Sequence, residues 1–258
     1  MARKFKDDGT RWAWFAAQAN EAAADWMRGR QPEKSAVMKR LAPEIRGRAF
    51  SVGGITDMRA LANIKELIAR LPEGGDWREL REGIAAEIDD AWGGPQNDAD
   101  PEKYGAAVAR RAELVLRQNA FQAYAVARYQ DQQDMKAAFP YLVYLTCGDE
   151  NVRDEHAELD GVILPADDPF WQRHYPPWDF GCRCLVESMT EAEAVERGVW
   201  QGAEQWEKST PTRADKDYAF RPDTLVLDDE ELARRGYADP ELLADYKTKM
   251  AKYEEKQT

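Results

Sequence analysis

Both histidines of this chain, His156 and His174, and all three of its cysteines, Cys147, Cys182 and Cys184, fall between Cys147 and Cys184 of 258 residues. Thiolate and imidazole are soft ligands that suit zinc. If residues 150–159 are helical, His156 and Asp160 stand four apart and share one face near the helix C-terminus. Cys182 and Cys184 are two apart, so a regular strand would turn both thiols to one side. Two ligand pairs, each on its own element, can then converge on one tetrahedral ion. The expected metal ligands are therefore His156, Asp160, Cys182 and Cys184, holding a closed, structural zinc. Asp160 is the weakest member, with His174 or Cys147 as substitutes. The competing reading is plainer: a locally hydrogen-bonded His156, a turn residue at Asp160 and two small buried apolar cysteines.

The elements that must position these residues can be read from periodicity. Trp12, Phe15, Ala16, Ala19, Ala23 and Trp26 recur at helical spacing and predict one amphipathic helix from Asp7 to Gly29. A short helix is expected over Ser35–Leu41. Thr56 or Asp57 can cap a helix through Leu71 with Leu61, Ile64, Leu67 and Ile68 in line, and Asp76 can cap another over Trp77–Ile88. The longest helix runs from about Glu102 to Lys136. Ala112, Val115, Leu116, Ala120, Ala123, Tyr124 and Ala127 form its core stripe, and the glutamines near its end are expected to face solvent.

At Pro140 the pattern changes. Tyr141–Thr146 reads as a buried strand, Asp149 as the cap of a helix through Leu159, and Val162–Leu164 and Arg183–Glu187 as two more strands. The fold class is α+β, mostly α. It comprises a helical N-terminal region (1–139) with a long spine helix, a small antiparallel β-containing knob (140–190) carrying the His/Asp/Cys cluster, and an acidic helical tail (191–258). Helices starting at Asp228 and Asp239 are expected in that tail.

The net charge of -12 argues against a general DNA-coating protein. Its distribution is uneven: residues 1–50 carry 11 Lys and Arg against 6 Asp and Glu, and residues 187–258 carry 11 against 18. No apolar run is long enough to span a membrane, and the N-terminus lacks the apolar core of a signal peptide, so the expected compartment is the cytosol. An odd cysteine count suits free thiols or metal ligands better than a disulfide framework.

The block Gly148–Gly161, followed by Asp167–Trp171, His174–Pro177 and Gly181–Cys184, resembles the signature of phage head morphogenesis proteins of the Mu F-like minor capsid family. Ala49–Asp57 and Arg111–Tyr124 resemble the same family's helical portion. The likeness runs over roughly residues 10–190, with Asp217–Pro222 as a fainter echo. It implies a minor head protein of a tailed phage, made during assembly in the host cytoplasm, incorporated in the virion, and associated with the portal protein and other head or scaffold proteins. Contact with packaged double-stranded DNA is a further implication. In the family pattern the positions of Arg153, His156, Asp160, Cys182 and Cys184 are the recurring polar ones, which strengthens the zinc expectation. Cys147 stands where the family is usually apolar, and His174 belongs to a subset of relatives. The segment after Ser188 has no clear counterpart.

Two other classes compete with the assembly role. A metal-dependent hydrolase or nuclease could use His156, Asp160, Cys182 and Cys184 with Glu155 as a base. Two thiolates weigh against it, because they favour a closed site. A DNA-binding module could use the basic N-terminal arm, with Arg28, Arg30, Lys34, Lys39, Arg40, Arg46 and Arg48 as phosphate contacts. Trp12, Trp14 and Trp26 lie nearby, but their helical spacing fits core packing better.

Overall fold

The computed structural model describes residues 20–38, 49–95 and 100–198. The expectations for Trp12, Trp14, Lys39, Arg40, Arg46, Arg48 and the helices at Asp228 and Asp239 lie outside the described residues.

Polar caps start several helices where the sequence places them. The single helix expected from Asp7 to Gly29 is corrected: α1 (Glu21–Gly29) begins behind Asn20, which is extended and whose side chain accepts from the Ala23 amide at 2.9 Å, so no helix runs through Asn20. α2 is the short Ser35–Met38 turn, lying between β1 (Gln31–Pro32) and β2 (Ala49–Phe50), which pair in parallel. Asp57 caps α3 (Met58–Ala69) and Asp76 caps α4 (Trp77–Trp92). α4 runs one turn past the expected Ile88 and stops at Gly93, whose φ of 74° is a left-handed conformation that a residue without Cβ adopts freely. Asp100 caps α5 (Pro101–Asp134), with proline in its first turn.

α1, α3 and α4 bury their apolar stripes against α5. Phe50, Leu61, Ile64, Ile68, Leu80, Ile84, Ile88 and Leu116 are essentially inaccessible in the resulting core. Trp26 joins it, as helical spacing predicted. Arg30 is buried here too. Its guanidinium donates to the Ala49 carbonyl at 2.9 Å and to Asn119 Oδ1 at 2.8 Å, 4.8 Å from the Trp26 ring centroid. Arg28 pairs with Glu66 at 2.9 Å and Glu73 at 2.5 Å. Two cations of the expected phosphate-binding arm are thus engaged inside the fold, because their helix is the one that closes the core.

Lys65 is a buried cation on α3, donating to the carbonyls of Arg28 (2.6 Å) and Arg30 (3.1 Å). Burial brings its pKa down to about 8. Between pH 8 and the usual lysine range near 10.5 the unfolded chain holds this proton and the folded one does not, so stability rises with pH across that window. Relative to a Lys65→Met variant, the wild type should gain roughly 2–3 kcal/mol from pH 8 to above 10. Parallel urea titrations of the two proteins over that window would show it; equal pH slopes would contradict it.

The second layer is the knob. β3 (Tyr141–Leu145) lies between β4 (Ile163–Pro165) and β5 (Leu185–Met189), antiparallel to both, with Tyr141 opposite Pro165 and Met189. Its apolar run is continuous because both faces are covered. Leu142 and Tyr144 join the core beneath with Trp171, Tyr175 and Trp178, while Val143 turns the other way to Ile163, Met189 and Ala194. Ala194 belongs to α8 (Glu191–Arg197), which opens on a capping box formed by Thr190 and Glu193. The class is α+β, mostly α, as the sequence predicts.

Three local expectations need correction. The helix expected over 150–159 shrinks to α6 (Asp154–Ala157), because the Asp149 carboxylate accepts from the Asn151 amide in a turn and binds Arg183 at 2.5 and 2.6 Å instead of capping a helix. β5 starts at Leu185 rather than Arg183, so both candidate cysteines precede the strand. Gln132, near the end of α5, is buried rather than solvent-facing. It donates to the Val186 carbonyl at 3.0 Å and accepts from the Tyr175 hydroxyl at 2.8 Å, tying the spine helix to the knob.

Candidate functional site

Three of the four expected ligands meet inside the knob. His156 projects inward from α6, and Cys182 and Cys184 come from the segment between the turn at Asp179 and β5. Both thiols nonetheless reach the same imidazole. Arg183 between them points outward to Asp149, whose pKa it holds below the ordinary carboxylate range. His156 Nδ1 lies 3.6 Å from Cys182 Sγ and 3.5 Å from Cys184 Sγ. All three residues are buried, at 2%, 4% and 5% exposure.

Asp160 is not among them. α6 ends before it, and its Oδ1 accepts from the Thr146 amide at 2.7 Å and hydroxyl at 2.9 Å, pinning the end of β3 at the surface. The expected i, i+4 pairing with His156 required a longer helix than the chain forms here. Cys147 is buried near enough to raise the pKa of Cys184 but does not join the converging set, while His174, on α7 (Trp171–His174), stacks on Phe170 at 4.4 Å with Nδ1 3.2 Å from the Phe170 carbonyl.

Three neighbours complete the cluster without having been expected. The Tyr144 hydroxyl stands 3.3 Å from His156 Nδ1 and accepts from Trp178 Nε1 at 2.8 Å. Trp178 stacks on the His156 ring, centroids 3.9 Å apart and nearly parallel. The Asp179 carboxylate faces the other imidazole nitrogen, Nε2, at 4.0 Å, and it holds Arg153 at 3.0 Å. Arg153 also donates to the Phe180 carbonyl. Trp178 and Asp179 lie in the His174–Cys184 block, and their place between ligand-bearing segments was the available signal. Tyr144 gave none beyond its strand periodicity.

The electrostatics follow from burial and proximity. Burial pushes the Cys182 thiol up, but hydrogen bonds to Cys184 and His156 outweigh it and bring Cys182 down to about 5. Cys184 is raised, first by its hydrogen bond to Cys182 and then by burial. The two thiols thus share one readily formed negative charge. Tyr144 is raised as well, by burial first and then by the adjacent sulfurs.

Beside this cluster an apolar groove lies between the knob and the helical body, walled by Trp77, Phe121, Tyr124, Tyr175 and Val186, with Arg128 its one charged lining residue. Cys184, 5% exposed, forms part of the groove wall, and Glu155 is exposed. No helix among the described residues is long and apolar enough to cross a membrane.

The chain is 34% identical over 156 residues to the "Mu-like prophage FluMu F protein" of Haemophilus influenzae, covering 59% of this chain and 37% of that one. It is 32% identical over 158 residues to the "Putative capsid assembly protein F" of Escherichia phage Mu, covering 59% and 36%. The chain therefore spans little more than a third of the length of these relatives. No solved structure matches it. The model of the family described as "Phage Mu protein F like protein" matches residues 63–187, from the middle of α3 through the cluster into β5, and over that region the chain is similar to this family.

Proposed function

We propose that this chain is a structural protein of a tailed-phage head, present in few copies, acting in procapsid assembly near the portal vertex. The observation that supports this reading is the match itself. Residues 63–187 take in most of both hydrophobic cores, and a relative over that region is named for capsid assembly. The partners in this reading are the portal protein and other head or scaffold proteins. The place of action is the host cytoplasm during assembly and the virion afterwards.

The hydrolase alternative is disfavoured by the chemistry of the converging set, because two thiols favour a closed structural site over one with an open position, and by Asp160, which is committed to Thr146. Packaged double-stranded DNA is a secondary partner. Arg28 and Arg30 are committed within the fold, so phosphate contact would fall to Lys34, which is exposed, and to basic residues outside the described segments.

The test is a phage lysate in which the chain carries an affinity tag. Tagged chain should sediment with procapsids and mature heads at a few copies each and retain portal protein on affinity capture. Heads of normal composition and yield from a lysate lacking the chain, with no portal protein captured, would overturn the proposal.

A further inference from the structure

We infer that the knob holds one buried tetrahedral transition-metal ion of the zinc class, bound by His156 Nδ1, Cys182 Sγ, Cys184 Sγ and the Tyr144 hydroxyl oxygen. Three groups lie within 3.6 Å of one nitrogen: two thiols and a phenol hydroxyl. A neutral imidazole nitrogen has one lone pair to accept with or one proton to donate, so it can satisfy one of them well. Over-subscription of this kind inside a dry core is costly when hydrogen bonds alone must account for it. A cation at the centre removes the conflict, since each of the four atoms directs a lone pair at it.

The distances fit that centre. With Zn–S of about 2.3 Å and Zn–N of about 2.0–2.1 Å at a tetrahedral angle, sulfur and nitrogen stand about 3.5 Å apart. The two observed separations are 3.5 and 3.6 Å. An oxygen ligand at about 2.0 Å would lie about 3.3 Å from the same nitrogen. Tyr144 Oη lies at 3.3 Å. His156 and the two cysteines also place their ligand atoms within 4.8 Å of one another, which admits the sulfur–sulfur spacing of such a site.

The surroundings supply the rest of a metal site. His156 Nε2 is buried and has no hydrogen-bond partner. With Nδ1 bound to metal, Nε2 carries the proton and turns it toward the Asp179 carboxylate, a pairing that orients metal-binding imidazoles. Trp178 fixes the ring from its face and donates to the Tyr144 oxygen, which leaves the oxygen's remaining lone pair for the ion. Two thiolates neutralise a divalent cation, so the core accepts the ion without a net charge. Soft ligands and a closed tetrahedron select zinc over magnesium or calcium.

The experiment uses the full chain, reduced and stripped by a chelator, titrated with Co²⁺ and then with Zn²⁺. One Co²⁺ per chain should bind with the intense visible bands of tetrahedral cobalt and with thiolate-to-metal charge-transfer absorption, and Zn²⁺ should displace it. Cys184→Ser should weaken binding at least tenfold and reduce the charge-transfer band. Tyr144→Phe should keep both thiolate bands, shift the visible bands and weaken binding about tenfold. Asp160→Asn should change nothing. X-ray absorption of the zinc-loaded wild type needs no variant to fold, and should find two sulfur and two nitrogen or oxygen neighbours. Failure to bind Co²⁺, an octahedral spectrum, a third sulfur, or loss of binding in Asp160→Asn would overturn the assignment. An unaltered spectrum in Tyr144→Phe would overturn the fourth ligand.

Discussion

Trp178→Ala is expected to destabilise the knob by about 3–5 kcal/mol, the range for removing a fully buried large aromatic side chain. Trp178 is 1% exposed, so nearly all of its apolar surface is lost from the core and a cavity remains. Two further losses add to the cavity. The His156 ring loses the indole stacked on it, and the Tyr144 hydroxyl loses the donor at 2.8 Å and becomes a buried group with one partner fewer. Amide exchange should show the effect as local: protection should fall across β3, β4 and β5 while α1, α3 and α4 keep theirs. A uniform fall in protection over both cores would show that they unfold as one unit and would sink the prediction of locality.

Phe50→Ala is the counterpart in the helical body and should also cost about 3–5 kcal/mol. Phe50 is fully buried, is half of the short β1–β2 pairing, and packs beneath the Arg30 guanidinium, which lies 5.7 Å from its ring. Its removal leaves a cavity beside a buried cation that still has the Trp26 ring and the oxygens of Ala49, Asn119 and Gln122. Denaturant unfolding should give a lower midpoint, with exchange protection lost first in α1 and α3. Cobalt binding by the folded protein should be unchanged, because the cluster lies in the other core. A loss of metal affinity comparable to that of Cys184→Ser would contradict the separation of the two cores.

Helix starts were the most legible part of the fold. Asp57 and Asp76 each accept backbone amides as their position before an apolar stripe suggests, since a cap is a local bargain between one side chain and the next three residues. The ends of α4 and α6 were less legible. Ile88 looked like a last core residue, yet the chain continues to a left-handed Gly93, and Asp149 looked like a cap but found Arg183, a partner 34 residues away. Gln132 shows the same limit: nothing near it in sequence announces that Val186 and Tyr175 will satisfy both ends of its amide.

The site was legible in its soft ligands and not in its shell. His156, Cys182 and Cys184 declare themselves by residue type, because few other roles suit two close thiols and a histidine. Asp160 was included on helical periodicity, and failed when the helix proved to be one turn long. Tyr144 and Asp179 could not be named, since only the packing of β3 and of the loop after Pro177 brings their oxygens beside His156.

The spine helix serves both cores without a break: Leu116 and Ala120 belong to the first, and Ala125 and Tyr129 pack on the second. It therefore acts as a keyed shaft. Each residue advances an α-helix by about 1.5 Å and turns it by about 100°, so one residue inserted between Ala120 and Ala125 would swing Gln132 away from Val186 and Tyr175. The chain can exchange side chains along α5 far more freely than it can change the number of residues in it.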